Sequence, residues 1–409
     1  MRTATGLSLA ALVAATARAG VSEYTVRAVP TLGGASNYAY AINDAGLVVG
    51  QSALDFAPGG DRHAFVWNPA DNTLTEIGTF GGSGSSAYAI DALGRVTGWA
   101  DTAGGIQHAF LWDSGVLTDL SAGSPNLFAS GWDIHAAAGM VVGHAGAFAR
   151  IWTGGGETDP GALGTPTRAY AVNSFGEVVG ESGLRAFYFF DDGDPATGDM
   201  RDLGTLPGGL PRARVNDIND AHQVVGEAHI GTSDLEDFHA VLWQQLAWDP
   251  NGRYAGQIVD LGVLSGGSRS YARAINPAGI VVGYATSVGI GVPHAFVWDA
   301  GRGMRDLNDL IDPAAGWELR FAMDINAAGQ IVGYGTAPDG QTRGFLLTPV
   351  SCPADLDGDG TVGLADLSIL LASFGTSGAT PADGDLDGDG DVDLADLSAL
   401  LNVFGTACG

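Results

Sequence analysis

The sequence predicts an all-β fold: a seven-bladed β-propeller closed by an N-terminal strand, followed by a small α-helical calcium module. Three observations predict it. One block of residues recurs seven times between residues 31 and 347. The last block lacks its final strand, and an extra strand of that kind stands at the N-terminus. Two copies of a calcium-loop pattern, thirty positions apart, occupy the C-terminal tail.

Residues 1–19 read as a secretory signal. Arg2 gives the positive start, Gly6 to Ala17 give a short apolar run, and Ala17-Arg18-Ala19 suits a cleavage site. That run is too short to span a bilayer, and no other stretch is long and apolar enough for a membrane span. The chain has 409 residues, with 46 acidic and 18 basic side chains, and every basic one is Arg. A net charge of −28 excludes a nucleic-acid partner and an anionic membrane face, because both would be repelled. The expected location is extracellular, free or at the cell surface.

The repeat is expected to fill residues 20–349. Its clearest copy runs Tyr40-Ala-Ile42-Asn43-Asp-Ala-Gly46, Leu47-Val-Val-Gly50, His63-Ala-Phe65-Val-Trp67 and Leu74-Thr-Glu-Ile77. Later copies pivot on Ile90-Asp91, Ile134-His135, Val172-Asn173, Ile218-Asn219, Ile275-Asn276 and Ile325-Asn326. The pivots are 38 to 57 residues apart, in the range of propeller blades. Each block reads as four short strands. Ala-Tyr-Ala-Ile alternates small and large residues, as a crowded strand near an axis does. Asn43 to Gly46 is a tight turn. The other segments are rich in Val, Ile, Phe and Trp and are broken by Gly-rich turns. Tyr24 to Leu32 matches the fourth-strand sequences, so it is expected to complete the last blade and protect its edge. An open β-solenoid is the rival architecture.

The array resembles the extracellular HAF-repeat family through His63-Ala-Phe, His108-Ala-Phe and His294-Ala-Phe. His239-Ala-Val, Phe148-Ala-Arg, Arg185-Ala-Phe and Arg343-Gly-Phe depart from the motif. The resemblance implies secretion and a repeat β-fold, and no activity. The repeat histidines lie one per blade, too far apart to share a metal ion, so a blade-internal hydrogen bond is expected of them. The Trp residues ending the same strand (Trp67, Trp112, Trp152, Trp243 and Trp298) are expected to pack between blades. Ser130, Asp133 and His135 have the residue types of nucleophilic catalysis, but lie on one strand with alternating faces. No catalytic residue is identified. The loop insertions from Phe56 to Arg62, Gly231 to Asp237 and Gln244 to Gly256 are candidates for a binding mouth. The last carries Trp248 and Tyr254, which suit stacking on sugar.

The tail, residues 352–409, holds 11 acids and no Arg. Calcium takes six to eight hard oxygen ligands. Asp355, Asp357 and Asp359 supply three carboxylates to the first loop, and Asp385, Asp387 and Asp389 to the second. Gly360 and Gly390 permit the bend. Thr361 and Asp391 give backbone carbonyls, and Asp366 and Asp396 close each shell, where an ordinary EF-hand has Glu. The tail is therefore expected to bind calcium. A helix follows each loop, with apolar spacing from Leu367 to Phe374 and from Leu397 to Phe404, ended by Gly375 and Gly405. Cys352 and Cys408 bracket the tail, and in an oxidising compartment they are expected to form a disulfide worth roughly 4 kcal/mol.

A loop followed by a helix, twice, resembles a type I dockerin. The resemblance implies two bound calcium ions and a cohesin-like protein or a cell-surface anchor as partner, read at Leu364-Ala365 and Leu394-Ala395. These apolar pairs depart from the hydroxyl-rich pairs of the best-known dockerins.

Two functions follow as expectations. The first is a secreted, calcium-binding, non-enzymatic protein whose propeller presents a ligand face, with polysaccharide as a candidate ligand. The second is an extracellular polysaccharide-degrading glycoside hydrolase. Asp and Glu pairs on the axis favour the second, and an axis of Ala, Ser and Gly favours the first.

Overall fold

The computed structural model describes residues 23–55, 60–123, 127–190, 200–231, 237–247, 255–286, 291–350, 352–357 and 361–406. They fall into two compact units, one running from Glu23 to Cys352 and one beginning at Pro353. The signal expected at residues 1–19 lies outside the described residues. Among the described residues, no helix is long and apolar enough to cross a membrane.

The first unit is a seven-bladed propeller of four-stranded antiparallel blades. They span residues 37–76, 81–119, 129–158, 167–202, 213–260, 270–306 and 318–349, the last completed by 24–28. Blades 1 and 2 run on as one eight-stranded sheet through a single parallel bridge between Arg62 and Gly84. Tyr24–Ala28 pairs antiparallel with the last strand of blade 7, Val26 facing Leu347. The closing strand therefore sits where the sequence puts it.

Every blade carries the same irregularity. In blade 1 the register between the first two strands slips between Ala39 and Ala41, so Tyr40 bulges out of the ladder. The same slip ejects Tyr88, Trp132, Tyr170, Asn216, Arg273 and Met323 in the other six blades. A bulge bends its strand and crowds the partner strand. The crowding explains the Gly of each Val-Val-Gly motif (Val-Thr-Gly in blade 2, Ile-Val-Gly in blade 7). A Cβ on Gly226 would lie 2.0 Å from the Arg214 carbonyl oxygen, and one on Gly50 would lie 1.9 Å from that of Tyr38. Gly98, Gly143, Gly180, Gly283 and Gly333 meet the same obstacle.

Apolar burial closes the ring. Seven clusters among the described residues each join two neighbouring blades, including blades 7 and 1 through Val332, Leu346, Phe65 and Trp67. All five repeat Trp residues pack in these junctions. A polar belt adds direction to the apolar contacts. The pivot amide of one blade donates to the pivot carbonyl of the next: Asn43 to Asp91 at 2.9 Å, Asn173 to Asn219 at 3.3 Å and Asn219 to Asn276 at 3.1 Å. Asn276 donates to Asn326 at 3.2 Å, and Asn326 returns to Asn43 at 3.1 Å.

A second device works on alternate blades. Asp133, Asp217 and Asp324 follow the bulge in blades 3, 5 and 7. One oxygen of each accepts the N–H of the next residue in its own strand. The other accepts an N–H from the following blade, Val172, Ile275 or Ile42, each at 2.8 Å. Burial raises all three carboxyls against these N–H bonds: Asp133 to about 7, Asp324 to about 6, and Asp217 well above the usual range. The folded state thus holds protons that the unfolded chain has released above about pH 4. Their contribution to stability rises as pH falls from 7.5 towards 5.5. His144 opposes them, because burial lowers it to about 4 while its unfolded imidazole protonates near pH 6.5. The difference between variants isolates the Asp contribution. Asp217→Asn is expected to give a propeller whose melting temperature gains less on going from pH 7.5 to 5.5. Thermal melts at both values check this, and an unchanged gain would contradict it.

The second unit is two loop-helix halves, with α1 spanning Leu364–Ala372 and α2 spanning Leu394–Asn402. The halves interlock reciprocally. Val362 of the first loop pairs with Gly405 and Thr406 after α2, and Val392 of the second pairs with Gly375 and Thr376 after α1. Val362, Val392, Leu370 and Leu400 form its fully buried centre.

Candidate ligand site at the axial mouth and candidate metal loops

Because the seven bulges occupy the same place in every blade, their side chains meet at one end of the axis. With residues of the first and second strands they line a cavity of about 580 Å³. Tyr40, Tyr88, Trp132, Tyr170, Asn216, Arg273 and Met323 all contribute to the lining. Small-molecule sites run to roughly 300–1,000 Å³.

One arc of the mouth is aromatic. Tyr88 stacks on Trp132 with centroids 4.5 Å apart and planes 7° apart. Tyr40 lies 5.6 Å from Tyr88, and Tyr170 meets Trp132 edge-on at 5.6 Å. Phe321, Tyr334 and Tyr284 carry the aromatic arc on towards blade 6. Trp132 donates its indole N–H to His144 Nδ1 at 3.0 Å. That bond needs a neutral imidazole, which burial and the Arg168 charge favour.

The opposite arc, in blades 4 to 6, is charged. Arg168 faces Glu181 across the first two strands of blade 4, and Arg214 faces Glu227 at the same register in blade 5. Arg273 is the bulge of blade 6. Glu181 lies 3.6 Å from Arg214 Nε and 3.4 Å from the Tyr170 hydroxyl, which burial pushes up to about 12. Glu227 accepts from Asn216 at 2.9 Å. Burial raises its carboxyl, against the pull of Arg273 and Arg214.

The axis behind the mouth carries both small apolar residues and carboxylates. Ala41, Ala89, Ala171 and Ala274 are buried there, and Asp133, Asp217 and Asp324 are half-buried beside them. Both oxygens of each Asp are held by backbone N–H groups, so these Asp are part of the framework. Glu181 and Glu227 are the paired carboxylates of the mouth.

The repeat histidines lie elsewhere, each bonded within its blade to an acid of the fourth strand. His108 meets Asp119 at 2.7 Å, His239 meets Asp260 at 3.0 Å and His294 meets Asp306 at 2.5 Å, while His63 meets Glu76. Arg185 takes the same role with Asp202 at 3.3 Å. Ser130, Asp133 and His135 form no triad, since Asp133 is occupied as a blade connector. Trp248 and Tyr254 lie outside the described residues, as do most of the three loop insertions.

In the tail, Asp355, Asp357 and Asp366 bring carboxylate oxygens within 4.8 Å of one another, and so do Asp385, Asp387 and Asp396. Asp391, Asp393 and Asp396 form a third such group. Hard oxygen donors at this spacing fit a divalent metal ion. Asp391 Oδ1 is buried without a hydrogen-bond partner, and the neighbouring Asp389 charge raises the Asp391 carboxyl. Burial works against ionised Asp366, but N–H bonds from Gly363, Asp357 and Leu356 hold its carboxyl below the usual range. Asp359 lies outside the described residues. Thr361 and Asp389 are exposed. Leu364 and Leu394 open the two helices, 75% and 72% exposed, with Ala365 and Ala395 exposed beside them. Cys352 is disulfide-bonded, and Cys408 lies outside the described residues.

No protein-family model matches the chain, and no curated protein matches it. Among solved structures it is similar to the WD40 β-propeller domain of Doa1, at 13% identity and a TM-score of 0.43, covering 78% of this chain and 96% of that one. It is similar to the GH74 enzyme of Niastella koreensis at 15% identity and a TM-score of 0.42, covering 80% of this chain and 43% of that one. It is also similar to the Aleuria aurantia lectin in complex with α-methyl-L-fucoside, at 10% identity and a TM-score of 0.32, covering 81% and 97%.

Proposed function

We propose that this is a secreted, non-enzymatic binding protein whose propeller holds a saccharide at the axial mouth. In this reading the tail binds two calcium ions and docks to a cohesin-like protein or a cell-surface anchor. The observation that carries it is the mouth itself: seven bulged side chains around a cavity of about 580 Å³, aromatic on one arc and polar on the other. Flat rings suit the apolar faces of sugars, and charged or amide groups suit their hydroxyls. The Ca²⁺ assignment rests on all-oxygen Asp sets in loops with EF-hand spacing.

The test is retention on a panel of immobilised polysaccharides with calcium present. Trp132→Ala is expected to weaken binding of the retained glycan at least about tenfold, as loss of a central aromatic anchor does. Equal binding by the variant would contradict the site.

One observation favours a second reading, a glycoside hydrolase. Glu227 and Glu181 stand on neighbouring blades at the same register, and burial raises the Glu227 carboxyl. Glycoside hydrolysis uses a pair of carboxyl groups, one of them an acid with a raised pKa. New reducing ends released by the wild type but not by Glu227→Gln would establish this reading. Binding without release would establish the first.

A further inference from the structure

The mouth concentrates positive charge in a chain that is otherwise strongly acidic. Of 18 basic residues against 46 acids, Arg168, Arg214 and Arg273 line this one cavity. Some Arg elsewhere sit in short ion pairs, Arg95 to Asp91 at 2.7 Å, Arg305 to Glu23 at 2.6 Å and Arg320 to Glu318 at 2.8 Å, while Arg62, Arg212 and Arg269 make none among the described residues. In the mouth three loosely held Arg converge on one cavity. Arg168 makes no ion pair among the described residues, and Arg214 reaches Glu181 only at 3.6 Å. Arg273 makes one long bond, 3.4 Å to Asn216, lies over the Tyr284 ring at 5.5 Å, and keeps a buried Nε without a hydrogen-bond partner. Three guanidinium groups share two carboxylates, which leaves one positive charge in excess even with both Glu ionised.

We propose that the ligand of the axial mouth is an acidic saccharide, a sugar chain bearing an isolated carboxylate that Arg168, Arg214 and Arg273 recognise. This rests on the saccharide-binding reading above. A guanidinium fork matches a carboxylate in two parallel bonds, and such charge-assisted bonds are roughly twice as strong as neutral ones. The aromatic arc faces the same cavity, so one sugar can stack while its carboxylate, or that of its neighbour, meets the charged arc. The rest of the surface limits how acidic the chain can be. A net charge of −28 repels a dense polyanion, although screening confines that repulsion to about 8 Å at physiological salt. The site therefore selects sparse carboxylates set among neutral sugars.

The experiment measures affinities by calorimetry, with the full chain in calcium and three probes. They are a neutral oligosaccharide retained in the panel, the same oligosaccharide with one glucuronate residue, and the same with one sulfate ester. The glucuronate form is expected to bind about tenfold or more tighter than the neutral form, and tighter than the sulfated one. Arg168→Gln and Arg273→Gln, each checked for an unchanged melting temperature, are expected to lose that preference, so that each variant binds the glucuronate and neutral forms equally. Equal affinity for the glucuronate and neutral forms would overturn the acidic class and leave saccharide binding standing. A preference for sulfate would overturn the carboxylate assignment. A preference that survives in both variants would overturn the role of the arginines. Binding of none of the three would overturn this inference together with the reading on which it rests.

Discussion

Gly226→Ala is expected to cost the propeller at least about 3 kcal/mol, a large share of the roughly 5–15 kcal/mol that stabilises a folded domain. The new Cβ would lie 2.0 Å from the Arg214 carbonyl oxygen and 2.7 Å from the Val215 Cα. Both are backbone atoms fixed by the bulge, so no side chain can rotate away. The strands must separate or the bulge must flatten, and a flat first strand would withdraw Asn216 from the mouth. Gly262→Ala is the control. Gly262 has φ +76° and open space around its Cβ position, so its cost is conformational, about 1–2 kcal/mol. Denaturant melts of both variants check the contrast. Equal losses would show that the bulge does not dictate the glycine.

Calcium removal is expected to melt both tail helices. Each has nine residues, below the roughly 12–15 that a helix needs to persist alone in water. Both are anchored by their loops. Asp366 ties its own loop together through Leu356, Asp357 and Gly363, and Asp396 does the same through Leu386, Asp387 and Asp393. Eleven carboxylates with no Arg among them repel one another once the cations leave. The reciprocal pairing of Val362 and Val392 then carries the failure of one half into the other. Hydrogen exchange of the whole chain, with calcium and with excess EDTA, should show protection at 364–372 and 394–402 lost in EDTA while the blades stay protected. Unchanged protection in EDTA would contradict calcium as the organising ion.

The parts legible in the sequence were those set by local spacing. A seven-fold repeat, a missing strand and its complement at Tyr24 fix the number of blades and their closure without any knowledge of contacts. The acidic groups of the tail are legible for the same reason, because Asp355, Asp357 and Asp366, like Asp385, Asp387 and Asp396, fall within twelve consecutive residues. The mouth was harder to see. Its residues share a position but no chemistry: Tyr40, Tyr88, Trp132, Tyr170, Asn216, Arg273 and Met323 have no common side chain. Alternation along Ala39-Tyr40-Ala41 reads as a regular strand, and only the slip in register turns Tyr40 to the axis. A signal was nonetheless present, since a Gly in the same place in all seven second strands marks close backbone approach. The residue after that Gly, among them His144, Glu181, Glu227 and Tyr334, lies beside the mouth. The loop insertions carry the stronger local signal of a binding mouth, because binding residues often sit on loops. Asp133, Asp217 and Asp324 were hidden by their alternation with Ala, which makes them look like variation within a repeat.

The central claim is that the bulged residues of the seven blades form the ligand site. Its most direct test is a crystal structure of the full chain with calcium and an oligosaccharide retained in the panel. Density for a sugar ring is expected in the axial mouth, against Tyr88 and Trp132 and within hydrogen-bond reach of Arg168 or Arg273. Sugar density on the outer strands of a blade or at the opposite end of the axis, with the mouth holding solvent alone, would contradict it.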